Sequence, residues 1–490
     1  MADVKAIPAP VGGWNVRDAL ANMPEDHASI LDNWFPQEGR VDSRPGYSEY
    51  ATGLGGNVET LAEYISGSAR KFLAAANGKI WDISSSGAGS SLATGKSNNR
   101  WSTAQLDGTM GLVNGEDAPL TYAGSTIGTM TVSGPTVANL IGIHVFQGRS
   151  YFWEDSSQSF WYSAVNTLGG SLTEFPLGRV GSFGGKLLAM GTWTHDSGAG
   201  PDDYAVFFMT SGDTIVYQGT DPGSFSLVGM FRLAPLISQR GIIKAGGDLI
   251  AVTKDGYVSL KGAITQGRLT DRGLVSDQIN PAVTEAAEDY GSNFGWQAFH
   301  YPAGNMLIFN IPRTTNSVYE QHVWNTNTGA PCRFRNIPSR CWGIYNDQAY
   351  FGGNGSVFLF DSTREDNNAV IEMDALTAPT WLGNKANQKH CTAVQTVMAA
   401  NTTIPLSVKV GSDFDLPNVS YDVQTFPGTG ASWGDPWGSP WAGEGFSTYT
   451  DWLNTRSFGY NFRTRVKVRS NNQLTKWYST NYMFEKGGVV

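Results

Sequence analysis

The chain of 490 residues is long enough for more than one domain and for a sizeable apolar core. Apolar residues at 40% against charged residues at 16% exclude a disordered chain, and no long block rich in Ala, Glu, Lys and Leu marks a helical bundle. A net charge of −9 without a run of Lys or Arg argues against a protein that grips nucleic acid through its phosphates.

What remains is an all-β reading. The 59 Gly, 24 Phe, 19 Tyr and 16 Trp suit aromatic strands joined by tight turns. The first twenty residues lack the basic start and apolar run of a signal peptide, and no 18-residue uncharged apolar stretch exists, so no membrane span is expected. Residues 1–55 read as an N-terminal arm or platform, with one short helix candidate in VRDALANMPEDHASILDNWF, residues 16–35.

A hairpin pattern then recurs along the chain. FLAAANGKIWDIS, residues 72–84, is an apolar strand, a turn at Asn77-Gly78 and a second strand. Relatives of this unit begin near residues 111, 151, 206, 249, 306 and 350, at steps of 39, 40, 55, 43, 57 and 44 from residue 72 onward. The unit at Met306 has the longest loop. Recurrence near 40–45 residues with insertions predicts a β-propeller of six or seven blades over 56–375, each blade a four-stranded sheet. Two stretches, YISGSARKFLAAANGKIWDIS and CWGIYNDQAYFGGNGSVFLFDS, show three consecutive strands of one blade.

Residues 376–490 carry a different set of strands, among them HCTAVQTVMAA, TIPLSVKVG and FRTRVKVRS, and predict a small β-domain that the two chain ends build together. Between those strands Trp433, Trp437 and Trp441 recur every fourth residue, and Pro436 and Pro440 forbid a helix. This aromatic loop is either an interaction surface or a plug over the edge of its own sheet.

Catalytic and metal signatures are weak. SGAGSSLATGKSNN, residues 86–99, lacks the Gly that a phosphate-binding loop needs at position 90 and reads as an inter-blade loop. The six histidines show no zinc spacing, and the polar loop around His195, Asp196, Asp202 and Asp203 lacks the alternating carboxylates of a calcium loop. Cys332, Cys341 and Cys391 are too few for a disulfide framework and are expected free, with a Cys332–Cys341 pair as the alternative. No pair of carboxylates stands out as a glycosidase couple. The expectation is a protein that is not an enzyme, with no cofactor and no metal.

The segment DNWFPQEGRVDSRPGYSEYATG, residues 32–53, resembles the N-terminal signature of structural proteins of tailed bacteriophages, in which an Asn-x-Phe-type strand leads through Gly to Arg-Pro-Gly. The matching residues are Asn33, Phe35, Gly39, Arg44, Pro45 and Gly46, with Pro45-Gly46 expected as a tight turn braced by Arg44. FLAAANGKIWDIS, the Asn114-Gly115 turn, residues 148–165 and LVSDQI, residues 274–279, are similar to successive blades and a connector of the tail hub, or nozzle, proteins of short-tailed phages. The resemblance implies a structural virion protein in the phage tail, made in the host cytoplasm. It implies a homo-oligomer, commonly a hexameric ring, below a head-to-tail adaptor ring and near tail fibres. Its axial channel would hold and then release double-stranded DNA during ejection, with neutral or negative walls that do not grip phosphate. A glycan-binding or glycan-cleaving propeller at a tail tip is the alternative.

Overall fold

The computed structural model describes residues 2–196, 201–262, 274–314, 317–401, 404–419, 424–426 and 447–487. Trp433, Trp437 and Trp441 lie outside these described residues, as do residues 197–200 of the His195 loop.

The described strands form a seven-bladed propeller. Its seven innermost strands are Val58–Ser66, Ser102–Leu106, Leu140–Phe146, Leu187–Asp196, Ile242–Ala245, Gln297–Tyr301 and Cys341–Tyr345. They neighbour one another in that order, the first two through hydrogen bonds of Thr60 and Ile65 to Trp101 and Gln105, and the seventh returns to the first. Blades 1 to 4 have four antiparallel strands each, and blade 5 has three. Every hairpin start read from the sequence falls on the second strand of its blade, from Ala69–Ala76 in blade 1 to Gln348–Gly352 in blade 7. Turn chemistry explains the recurrence. Asn77 and Gly78 both have positive φ (52° and 65°), as do Asp107 and Gly108, and this mirror-image turn matches the twist of the strands. The long step between units 249 and 306 is filled by the helix Asn280–Tyr290, which Pro281 starts in its first turn.

The ring closes through the N-terminal segment. Tyr47–Thr52 is the fourth strand of blade 7, on Val357–Phe360, with the short strand Gly87–Ala88 beyond it. Inner strands of neighbouring blades are stitched by side chains that imitate backbone pairing. Gln297 donates to the Trp342 carbonyl (3.0 Å) and accepts from its N–H (2.8 Å), joining blades 6 and 7. Gln105 does the same for Ile65, joining blades 2 and 1.

The chain ends form a sandwich on the propeller's flank. Blade 6 ends at Pro331–Arg335, and its sheet continues through His27–Asp32, Ile371–Thr377, Phe462–Ser470 and Ile404–Ser412. Asp3–Pro8, Trp34–Gln37 and Arg40–Ser43 join Lys389–Ala400 and Thr475–Lys486 in the second sheet. Residues 1–55 are thus shared between the propeller and the sandwich. One apolar core runs through both, from Tyr257, Phe309 and Trp324 to Trp34, Val466 and Trp477.

Two local expectations are corrected. The stretch 16–35 contains a three-residue 3-10 turn, Leu20–Asn22, and then the strands His27–Asp32 and Trp34–Gln37, where a helix was expected. His27–Asp32 is held extended because it lies between two strands, Pro331–Arg335 and Ile371–Thr377, whose backbone groups it pairs with. Arg44-Pro45-Gly46 is an open connection between two strands, with no tight turn. Gly46 answers to a different constraint: a Cβ there would sit 2.1 Å from the Glu365 carbonyl oxygen.

Candidate functional site

The phage-like segment folds into one buried node. The Arg44 side chain is 0% exposed, and all five of its N–H donors are used. Nε donates to Asn33 Oδ1 (2.8 Å); one terminal nitrogen donates to the Pro45 carbonyl and Asp366 Oδ1 (both 2.9 Å); the other donates to the Arg335 carbonyl (3.1 Å) and Asp366 Oδ2 (2.6 Å). Asn33, at φ 61°, also accepts from the Arg335 N–H (2.8 Å) and donates to the Glu372 carbonyl (2.7 Å). Arg44 therefore ties together the outer strand of blade 6, the connector after blade 7 and Asn33, the residue between the sandwich strands His27–Asp32 and Trp34–Gln37. Its brace to Pro45 was legible in the sequence, whereas its acidic partner Asp366, 322 residues away, was not.

The other matching residues flank this node. Phe35 packs edge-on against Phe334 with ring centres 6.1 Å apart. Gly39 turns the hairpin Trp34–Ser43 at φ 70°. Burial and the Asp366 charge push the neighbouring Tyr47 phenol up to about 12.

A second charged chain runs along blade 6, and nothing in the sequence singled it out. Asp32 takes paired bonds from Arg333 (2.7 and 3.0 Å). The Arg333 guanidinium lies 4.9 Å from the Trp14 ring centre, and Trp14 meets His322 edge-on. His322 is buried, shares a hydrogen bond with the Tyr257 hydroxyl (3.0 Å), and has its pKa lowered by burial. Burial works against ionisation of Glu320, yet His322, Arg333 and Arg313 bring its carboxyl down to about 2. The Arg333–Asp32 pair binds blade 6 to the strand His27–Asp32, and the His322–Tyr257 hydrogen bond binds it to blade 5.

A third cluster ties blade 5 to blades 1 and 2 across the propeller. Arg240, which precedes the inner strand of blade 5, reaches across to blades 1 and 2. It donates to the Glu59 carbonyl (2.5 Å), the Thr60 hydroxyl (2.9 Å) and the Trp101 carbonyl (3.3 Å). Phe294 lies between Arg240 and Arg100, at 5.3 and 4.0 Å from its ring centre, and Arg100 pairs with Glu59 (3.3 Å).

A shallow cleft beside the Arg44 node is lined by Phe35, Asp42, Pro45, Met306, Asp361 and Arg364. Burial raises the Asp361 carboxyl, with Arg364 opposing it.

The chemical motifs read from the sequence resolve as follows. Gly95-Lys96-Ser97 does form an inter-blade loop, and the Ser97 N–H and hydroxyl both donate to Asp117 (2.9 Å each), so a carboxylate stands where a phosphate would bind. His195 pairs across a hairpin with Asp202, and no group of metal-ligating side chains occurs among the described residues. Cys332, Cys341 and Cys391 are free and buried, and burial pushes the Cys341 thiol up to about 12. No described helix is long and apolar enough to cross a membrane.

No family model matches this chain, and no curated protein matches it. Among solved structures, BBS1N in complex with ARL6DN is similar at a TM-score of 0.42 and 8% identity, over 65% of this chain and 97% of that one. YCF48 bound to D1 peptide gives a TM-score of 0.40 and 8% identity over 69% and 98%. YCF48 from Cyanidioschyzon merolae gives 0.40 and 7% over 64% and 98%. At these values the likeness says nothing about activity, and the propeller rests on the strand pairing itself.

Proposed function

We propose that the protein is a structural component of a tailed-phage virion, a tail nozzle or hub that assembles as a homo-oligomeric ring, commonly hexameric. The ring would sit below the head-to-tail adaptor, near the tail fibres, and its central channel would retain and then release the genome. The observation that carries this reading is the Arg44 node. The residues that resemble phage tail proteins, Asn33, Arg44, Pro45 and Gly46, meet where the propeller, the sandwich and the connector between them join. A motif placed there keeps two bodies in fixed relation, which a subunit of a ring under the pressure of a packaged genome requires.

Two further features support it. Arg240 crosses the axis of the single propeller, so a duplex passage belongs between copies and not within one. A chain of net charge −9 also offers little overall attraction to DNA phosphate, which favours release over retention by charge. Size-exclusion chromatography with light scattering on the purified chain is the first test. A mass near six times the 52.9 kDa of one chain supports the hexameric ring, and a strict monomer even with the adaptor protein present contradicts it.

One observation favours the glycan reading. Asp42 and Asp361 line the same cleft, and a carboxyl raised by burial suits a general acid. Turnover of host polysaccharide that Asp361→Asn abolishes would support that reading over the structural one.

A further inference from the structure

Two groups of large apolar side chains stand exposed on different flanks of the molecule. On the propeller rim, Val165 of blade 3, Phe183 of the loop into blade 4, and Leu227 and Val228 of the outer strand of blade 4 are between 45% and 62% exposed. On the outer face of the sandwich's second sheet, Val4, Trp452, Phe458 and Tyr478 are between 38% and 57% exposed. Single exposed apolar residues are ordinary, but grouped ones mark a surface that something covers.

The sandwich face follows from strand alternation. Trp452–Gly459 pairs with Lys389–Ala400, which pairs with Thr475–Lys486, which pairs with Asp3–Pro8. Cys391, Val394, Tyr482 and Phe484 point into the core, so the alternate positions point out. Trp452 and Phe458 both take exposed positions of one strand, about 20 Å apart along it. Phe458 and Glu485 flank His390 in one row, with the Phe458 and His390 rings 6.1 Å apart. Glu485 is exposed, and the adjacent Lys486 is engaged by Asp3 (2.6 Å).

The rim group is held in place by its own hydrogen bonds. The backbone N–H groups of Ser182 and Phe183 both donate to the buried Asp213 carboxylate, at 3.2 and 3.0 Å. The half-exposed Arg232 guanidinium lies 4.0 Å from the Phe183 ring centre while donating to Asp213 (3.1 Å). A register shift between Asp213–Gln218 and Ser226–Arg232 leaves Val228 as a β-bulge. The bulge and Arg232 guard this edge against a further strand, so the rim offers side chains and not backbone.

We infer that these two faces meet between copies of this chain, the sandwich face of one copy lying on the rim of blades 3 and 4 of the next. A second copy is the occupant because each face carries what the other calls for. Both present apolar side chains along a strand of seven or eight residues, and Phe183 stands beside a cation where Phe458 stands beside an anion. Since the faces are unlike and lie on different flanks, the contact is heterologous, and its repetition makes a ring where the rotation closes. The inference rests on the ring proposed above and names the surfaces that build it.

Cysteine cross-linking of the full chain tests it. The native cysteines are buried, so Ser182→Cys and Arg456→Cys, at exposed positions beside the two aromatic rings, supply the reactive thiols. A chain carrying both changes, treated with a short bis-maleimide, is expected to give a covalent ladder that ends at the mass of the ring, joined between residues 182 and 456. Either change alone leaves the chain at 52.9 kDa. Phe183→Asp, at an exposed position that leaves the core intact, is expected to shift the parent assembly to monomer at the same concentration. A parent ring without the 182–456 cross-link, or one that Phe183→Asp leaves assembled, overturns the inference while the ring reading stands. Dimers from Arg456→Cys alone also overturn it, because like faces would then meet. A parent chain that stays monomeric overturns both.

Discussion

Arg44 concentrates more structure than any other single side chain described here. Its five donors meet acceptors from three parts of the chain, and its charge is matched only by Asp366 inside the protein. Arg44→Met leaves Asp366 buried and unpaired and is expected to cost about 3–5 kcal/mol, read as a shift in the urea midpoint. Arg44→Lys keeps the charge but cannot reproduce the planar fork, so it recovers only part of that loss. A midpoint within error of the parent for Arg44→Met would show that the node is not holding the two bodies together. Legibility differs sharply at this scale. Arg44-Pro45-Gly46 is visible in the sequence because its residue types are unusual side by side. Asp366 lies in an ordinary polar stretch, Arg364 to Asn368, and only folding brings it to the guanidinium.

Histidine burial gives the residue scale its pH dependence. His144 bonds the Thr192 hydroxyl (2.9 Å), and burial brings its pKa down to about 4 from 6.5. Between those values the unfolded chain binds a proton that the folded chain refuses, so this contribution is complete above pH 6.5 and is lost as the pH falls toward 4. Glu320 adds a second loss, because its carboxyl at about 2 instead of 4.5 stabilises the fold above pH 4.5 and ceases to do so on further acidification. Urea midpoints measured from pH 7 to pH 4 should therefore decline, and His144→Gln should flatten the part between pH 6.5 and 4. An unchanged slope in that variant would assign the acid sensitivity elsewhere.

Among the elements, local chemistry was read well and paired chemistry was not. Asn77-Gly78 declares its turn because both residues tolerate positive φ, and a side chain at Gly78 would also meet the Lys96 carbonyl at 2.9 Å. Gly78→Ala is expected to destabilise by about 1–2 kcal/mol from the backbone conformation alone, checked by thermal unfolding. The strand His27–Asp32 was mistaken for helix because its apolar spacing fits either period, and a parallel partner at Arg333, 301 residues away, decides it. The helix Asn280–Tyr290 was missed although Pro281 and the run of Ala and Glu after it are helix signals. The cross-axis tie is another paired feature. Arg240→Met removes three bonds to blades 1 and 2, leaves the Glu59 and Trp101 carbonyls short of a partner, and is expected to cost about 1–3 kcal/mol. Hydrogen exchange should quicken first in Val58–Ser66 and Ser102–Leu106, and a uniform change across all blades would argue against a local tie.

For the whole molecule, the propeller and the sandwich share one apolar core and one continuous sheet through blade 6, so they are built to move together. The recurrence of hairpins made the propeller legible, because each blade repeats the same local signals. The sandwich was legible as a small β-domain built by the two chain ends, but the order in which its sheets alternate their strands was not. A two-part subunit with Arg240 spanning its propeller suits the proposed ring, whose passage would be formed between copies. Quantitative mass spectrometry of purified phage particles tests this most directly. A nozzle predicts peptides of this chain in every particle at a fixed low copy number, about six per virion if the ring is hexameric. Particles that are infectious and free of this chain would contradict it.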